Sequence, residues 1–145
     1  ITLEDLVDIM DIRLRCEGLA ARYAAANRTQ EEADRLQHLM ELQDFYAAKG
    51  DYDHLREIDD EFHDCIYVFC GRHVLTDTLR PLHRKTQRYR RGSIANAQRR
   101  QHSTEEHRAI SQAICAGDPE LADEMMTRHI QNAKESMIER FSQNG

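Results

Sequence analysis

The chain has 145 residues, 40% of them hydrophobic and 32% charged, with only 6 Gly and 2 Pro. This length and composition fit a single domain over residues 1–145 that buries a core without disulfide staples, and they argue against an all-β fold, which needs many turn residues. The net charge of −6 lacks the basic footprint of a domain that grips nucleic acid by its phosphates, so DNA is not an expected direct partner.

Helix-start signals recur along the chain. Thr2, Thr29 and Ser103 are each followed three positions later by Asp or Glu, the pattern of a capping box at a helix N-terminus. Gly117 and the Asp-Pro that follows it are typical of one helix ending and the next beginning. With further breaks at Gly50 and Gly71, these signals predict helices over residues 3–26, 30–49, 53–70, 72–97, 104–116 and 119–142.

The connections between these segments are short, which favours antiparallel neighbours. We therefore predict an all-α fold, an antiparallel helical bundle of six helices. The fourth segment contains Pro81 and the pair Gly92-Ser93, which can kink or split it and raise the number to seven.

The cellular setting is predicted from what the sequence lacks. It has no run of about 18 apolar residues and no export signal, and its four cysteines show no C-x-x-C pair, which favours reduced core thiols. We expect a cytoplasmic protein that does not bind membranes. Because the sequence starts with Ile1 rather than Met, we also expect that an N-terminal segment is missing from it.

The third predicted helix carries two polar residues beside its apolar stripe. At about 100° per residue, Asp59 and His63 lie along the edge of the stripe that contains Ile58, Phe62 and Ile66, one turn apart. We expect both side chains to face the interior.

Two further histidines fall on inward faces. His107 shares a face of the fifth helix with Ile110 and Ile114, and His129 lies near the middle of the apolar stripe of the sixth. A buried carboxylate needs a counter-charge and a buried imidazole needs partners for both nitrogens. One divalent cation satisfies all four residues, whereas any one of them alone is more often a hydrogen-bonded core residue.

The predicted centre is therefore Asp59, His63, His107 and His129 with one transition metal. Its donors suit Zn²⁺, Ni²⁺, Mn²⁺ or Fe²⁺, with Zn²⁺ or Ni²⁺ favoured, and leave a position open for water or a ligand's carboxylate. The other histidines are predicted to lie on the surface or in loops: His38, His54, His73, His83 and His102.

Arginines suggest where an anion binds. Arg13 and Glu17 fall within the apolar stripe of the first helix, as a structural ion pair or as a guanidinium with one edge free for a carboxylate ligand. Residues 78–104 contain eight Arg or Lys and no acidic residue, which favours a solvated helix face over a nucleic-acid patch. Within this stretch, Arg88 is a second candidate for the ligand site.

Three blocks together resemble a known family. The segment "DIRLRCEGLAARYAA" is similar to R-x-x-x-E followed by an Ala-rich helix, "IDDEFHDCIYVFCGRHVL" to D-x-x-F-H-x-x-[ILM], and "EEHRAISQAICAGDPELADEMMTRH" to E-H-x-x-I…A-I-x-x-G-D…A…M-x-x-H. This order resembles the C-terminal effector-binding and dimerisation (FCD) domain of FadR-subgroup GntR-type transcription regulators. One departure is Gly71-Arg72, where many members have Gly-Asn or Ser-Asn.

The resemblance implies a function. It implies a homodimer, a small organic acid as effector, metal ligands at Asp59, His63, His107 and His129, and DNA binding only through an N-terminal winged-helix domain that this sequence does not include. The leading hypothesis is thus a metal-dependent sensor domain and not an enzyme. The alternatives are a small metalloenzyme with an open Asp/His₃ centre and a plain helical interaction module.

Overall fold

The computed structural model describes residues 1–144, apart from the side chains of residues 91–95 and 144. Within this range the chain forms an all-α bundle of six helices and no strand, as the sequence predicts. The helices are α1 (Leu3–Asn27), α2 (Gln30–Lys49), α3 (Tyr52–Phe69), α4 (His73–Ala95), α5 (Ala97–Cys115) and α6 (Pro119–Asn144).

Local side-chain caps start several of these helices. Thr2 and Thr29 each form a complete capping box, in which the hydroxyl accepts from the backbone of the third helical residue and that residue's carboxylate accepts from the cap backbone. The Asp118 carboxylate accepts from Leu121 N at the start of α6. Gly117 precedes it with φ of +68°, a left-handed conformation that favours glycine.

The predicted start of α5 is wrong by about two turns. Ser103 does not cap a helix, because α5 already begins at Ala97, where the Asn96 side chain accepts from Arg99 N at 3.0 Å. Asn is a strong N-cap residue, and α4 ends at Ala95, one residue before it. Ser103 and Glu106 therefore lie inside the helix, where the Glu106 side chain is available for tertiary contacts.

Helix α4 is not split at Pro81 and runs from His73 to Ala95. Pro81 is exposed, so the carbonyl that loses its helical donor lies on the solvent side. Gly92 and Ser93, the other predicted break, lie within the helix, and their side chains are outside the described part of the structure.

The core lies between α1 and α6, the most extensively packed helix pair, and the helices around them. Gly18 permits the close approach of α1 to α6, since a Cβ there would collide with Asp123 and Thr127. The core side chains are apolar and almost fully buried, among them Leu6, Met10, Leu36, Leu39, Phe62, Ile66, Ile110, Ile114, Met126 and Ile130.

The state of the cysteines agrees with the sequence analysis. All four cysteines are free thiols, with Cys70 buried and the other three half-buried. Among the described helices, none combines the length and the apolar character that crossing a membrane requires.

Candidate metal centre

Three buried imidazoles from three helices meet in the interior. His63 of α3, His107 of α5 and His129 of α6 each offer one ring nitrogen, and these atoms lie within 4.8 Å of one another. The Nε2 atoms of His63 and His129 are 3.3 Å apart. All three side chains are at most 4% exposed, so water does not solvate them freely. A group of this kind can hold a metal ion.

Asp59 adds one carboxylate to the three imidazoles. Its Oδ1 atom lies 3.0 Å from His107 Nε2 and 3.5 Å from His63 Nε2. Burial acts to raise the pKa of Asp59, but the adjacent Arg90 guanidinium opposes burial, and this pKa lies well below its ordinary value. The structure thus brings together all four residues that the sequence selects, with an ionised carboxylate among them.

The outer nitrogens of two histidines are held by side chains. His129 Nδ1 is 2.6 Å from Glu106 Oε1, and His107 Nδ1 is 2.8 Å from Gln43 Oε1. A carboxylate only accepts hydrogen bonds, and the Gln43 amide already donates through Nε2 to the Thr104 carbonyl. Both imidazoles therefore carry their proton on Nδ1, and each directs the lone pair of its Nε2 atom inward.

This arrangement leaves electron pairs facing each other. His107 Nε2 is buried without a hydrogen-bond partner and lies 3.0 Å from Asp59 Oδ1, and with the His107 proton on Nδ1 both of these atoms are acceptors. Burial lowers the pKa of His63 to about 4 and the pKa of His129 to about 3, so these two imidazoles are neutral at neutral pH. The donor set fits a cation, which would replace this repulsion with coordination.

Arg90 of α4 neutralises two carboxylates of α3, those of Asp59 and Asp60. Arg90 lies 2.7 Å from Asp59 Oδ2 and also contacts Asp60 and His83. His83 was predicted to lie on the surface, but it is 4% exposed and packs its ring 4.9 Å from the ring of His63. Burial and the adjacent Arg90 hold the pKa of His83 well below its ordinary value. The other four non-cluster histidines are exposed, as predicted.

The two predicted effector-binding arginines have different surroundings. Arg13 is 1% exposed, and its Nε and Nη2 atoms both donate to Glu17 Oε2, at 3.2 and 2.7 Å, while Nη1 donates to Thr86. Burial acts to lower the pKa of Arg13, but Glu17 outweighs it and raises this pKa. Arg13 lines the cavity beside the cluster. Arg88 is exposed and does not line this cavity, whereas Arg90, which is also on α4, does line it.

A cavity adjoins His63 and His129 of the cluster and has both charged and apolar lining residues. One side presents charged groups and the other apolar side chains of α6. The residues lining it are Arg13, Asp59, His63, Arg90, Arg99, Arg100, Ser103, His129, Ile130, Ala133 and Met137. A small anion with an apolar part matches this lining.

Sequence reasoning missed the positions of four residues around the cluster, and three of them leave a signal in the sequence. His83 and Arg90 share the inward face of α4 with Leu79 and Thr86, at the i, i+3, i+4 spacing that marks a buried stripe. Gln43 interrupts the buried stripe of α2 in the same way. The contact of Glu106 with His129 was not predicted, because the Ser103 pattern assigned Glu106 to a capping box.

Residues 8–132 match the family model of the FCD domain. The match spans most of the chain, and the chain belongs to this family, which confirms the resemblance found in the sequence.

The relatives are named as regulators. The chain is 28% identical over 135 residues to the HTH-type transcriptional repressor GlaR of Escherichia coli strain K12, covering 88% of this chain and 61% of the relative. It is 25% identical over 126 residues to the HTH-type transcriptional repressor RspR of the same organism, covering 87% and 55%. These names agree with the expectation of a non-catalytic protein.

A solved structure shares the fold. Streptococcus agalactiae GntR superposes with a TM-score of 0.77 at 24% identity, over 90% of this chain and 58% of that one. The chain thus spans between about half and three fifths of the length of these proteins.

Proposed function

We propose that this chain is the effector-binding domain of a GntR-family transcription regulator and that Asp59, His63, His107 and His129 hold one divalent transition metal. The observation that carries the proposal is the convergence of three buried imidazole nitrogens within 4.8 Å of one another, with the Asp59 carboxylate 3.0 Å from His107 Nε2, a buried atom that has no hydrogen-bond partner. Zn²⁺ or Ni²⁺ suits these donors best, and Mn²⁺ and Fe²⁺ are the other candidates.

The proposed effector is a small carboxylic acid in the adjoining cavity. An acid that coordinates the metal would place its remaining polar groups near Arg13 and Arg90, with its apolar part against Ile130 and Ala133. Differential binding would shift the population of domain conformations and hence of an attached helix-turn-helix reader, as in the relatives' names. We place this regulator in the cytoplasm and propose that it acts as a homodimer.

Asp60 and Glu106 are the carboxylates near the centre that could act as a general base, and their contacts argue against a metalloenzyme. Asp60 contacts Arg90 and His83, and Glu106 accepts from His129, Arg99 and Asn132. Both carboxylates are thus engaged in hydrogen bonds that a base activating water would have to give up.

Metal binding tests the proposal directly. Titrating the metal-free domain with Zn²⁺, Ni²⁺, Mn²⁺ and Fe²⁺ should raise its unfolding temperature, because a ligand that binds only the folded state at about 100 times its Kd adds about 2.7 kcal/mol. His129→Ala should abolish the shift, while His38→Ala, at an exposed histidine of α2, should retain it. Equal behaviour of the wild type and His129→Ala would refute the metal centre.

The effector is tested on the metal-loaded domain. A panel of hydroxy, keto and sugar acids should include at least one that binds saturably, and its affinity should fall when the metal is removed with a chelator. An acid that binds equally well to the metal-free domain would contradict coordination as the mode of recognition.

A further inference from the structure

Both carboxylate oxygens of Glu106 accept hydrogen bonds. Oε1 accepts from His129 Nδ1 at 2.6 Å and from Arg99 Nη2 at 2.9 Å, and Oε2 accepts from Arg99 Nη1 at 3.0 Å and from Asn132 Nδ2 at 2.9 Å. Burial acts to raise the pKa of Glu106, but His129 and Arg99 outweigh it and lower this pKa to about 2. The carboxylate is charged and fixed in place by α5 and α6.

Gln43 has the corresponding role at His107. It is 1% exposed in α2, donates through Nε2 to the Thr104 carbonyl at 3.2 Å, and accepts from His107 Nδ1 at 2.8 Å. The Thr104 bond determines the amide orientation, so that the oxygen rather than the nitrogen faces the imidazole. A residue from a fourth helix thereby orients a side chain of α5.

We infer that Glu106 and Gln43 are positioning residues that orient His129 and His107 and set the tautomer in which Nε2 can bind a metal. The inference rests on the proposed metal centre and assigns it an outer layer. Partners of this kind fix ring orientation and raise ligand basicity, and their loss weakens metal affinity by about 10- to 100-fold.

The two residues are predicted to act unequally. Glu106 is a charged acceptor at 2.6 Å, and charge-assisted hydrogen bonds are about twice as strong as neutral ones. Gln43 is a neutral acceptor at 2.8 Å. We therefore expect substitutions of Glu106 to have the larger effect on metal affinity.

Titration of the variants with Zn²⁺ alone, in competition with a chromophoric chelator, measures this contribution. Glu106→Ala should bind Zn²⁺ about 10- to 100-fold more weakly than the wild type. Glu106→Gln should recover part of the loss, because its amide oxygen still accepts from His129. Gln43→Leu should show a smaller loss than Glu106→Ala, because the acceptor that it removes is neutral.

Matched controls separate positioning from general charge or helix effects. Glu105→Ala removes an exposed carboxylate one residue earlier in α5, and Gln37→Leu changes an exposed amide of α2. Both should bind Zn²⁺ as the wild type does. Co²⁺ provides a second readout, since the visible spectrum of bound Co²⁺ should change in Glu106→Ala and remain unchanged in the two controls.

The outcomes distinguish the inference from the metal proposal. A wild-type chain that binds neither Zn²⁺ nor Co²⁺ overturns the metal centre and the inference with it. Wild-type binding with equal affinity in Glu106→Ala overturns only the inference. The inference alone is also overturned if Glu106→Ala binds Zn²⁺ weakly, shows the wild-type Co²⁺ spectrum, and Glu106→Gln recovers no affinity. That combination would indicate damage to the fold rather than loss of positioning.

Discussion

At the residue scale, Arg90 determines how the carboxylates of α3 are neutralised. Its guanidinium contacts both Asp59 and Asp60, and its side chain is 8% exposed. Arg88 lies two positions earlier, a rotation of about 200° around the helix, and is exposed. The pair forms a natural comparison of two arginines in one helix with different surroundings.

We predict that Arg90→Met strongly destabilises the metal-free domain, by about 3–5 kcal/mol, because it leaves the buried Asp59 carboxylate without its cationic partner. Arg88→Met should change the free energy of unfolding by less than about 0.5 kcal/mol. Urea unfolding of both variants measures the difference. Similar values for the two would show that Arg90 does not neutralise Asp59.

At the element scale, the start of α5 determines where Arg99 and Glu106 lie. The helix begins at Ala97, so Arg99 is in its first turn and reaches Glu106 two turns later with both terminal nitrogens. The cap at Asn96 is the local interaction that sets this start. A later start, at residue 104, would leave Arg99 outside the helix and Glu106 without this partner.

We predict that Asn96→Ala lowers the free energy of unfolding by about 1 kcal/mol, because the backbone amide of Arg99 loses its acceptor. Asn96→Ser should retain most of the stability, since a hydroxyl also caps. Denaturant unfolding measures both. If Asn96→Ala matched the wild type, the helix would have to begin elsewhere, as the Ser103 pattern suggests.

At the scale of the whole molecule, the buried imidazoles link stability to pH. The pKa of His63 is lowered to about 4 and that of His129 to about 3 by burial, both below the ordinary value of 6.5. Below about pH 6.5 the unfolded chain therefore binds more protons than the folded chain. Since stability rises with pH under that condition, it must fall on acidification.

We predict that the metal-free domain loses stability as the pH falls from about 6.5 toward 4, with each of these histidines contributing up to about 1.4 kcal/mol per pH unit. Urea unfolding at a series of pH values measures the slope. His129→Leu should flatten it, whereas His38→Gln, at an exposed position, should leave it unchanged. A wild-type slope of zero over this interval would contradict neutral buried imidazoles.

Much of the fold and the centre of the site could be predicted from local sequence signals. Five of the six helix starts follow from caps or glycine breaks, and Asp59, His63, His107 and His129 follow from helical periodicity because each lies on an apolar face. Their outer partners were not predicted, since a bond such as that between Gln43 and His107 joins residues 64 positions apart. Arg88, which the sequence analysis named for the ligand site, is exposed, whereas Arg90 lines the cavity.

The basic stretch also has a different meaning in three dimensions. Arg80 pairs with Asp64 and Arg90 with Asp59, so both join α4 to α3, whereas Arg99 pairs with Glu106 within α5. Arg84 and Arg88 remain on the exposed face of α4. The stretch is thus divided between the interior and the surface, so the solvated-face interpretation holds for only a part of it.

The cluster of imidazoles draws its last member from α6, near the end of the chain. His63 and His107 are synthesised before His129, and Asn132, which fixes Glu106, follows three residues later. A ribosome-bound chain that has not yet exposed α6 cannot assemble the group. A cation bound before α6 has docked would therefore lack His129 as a ligand, and a chain arrested before α6 would not assemble the complete centre.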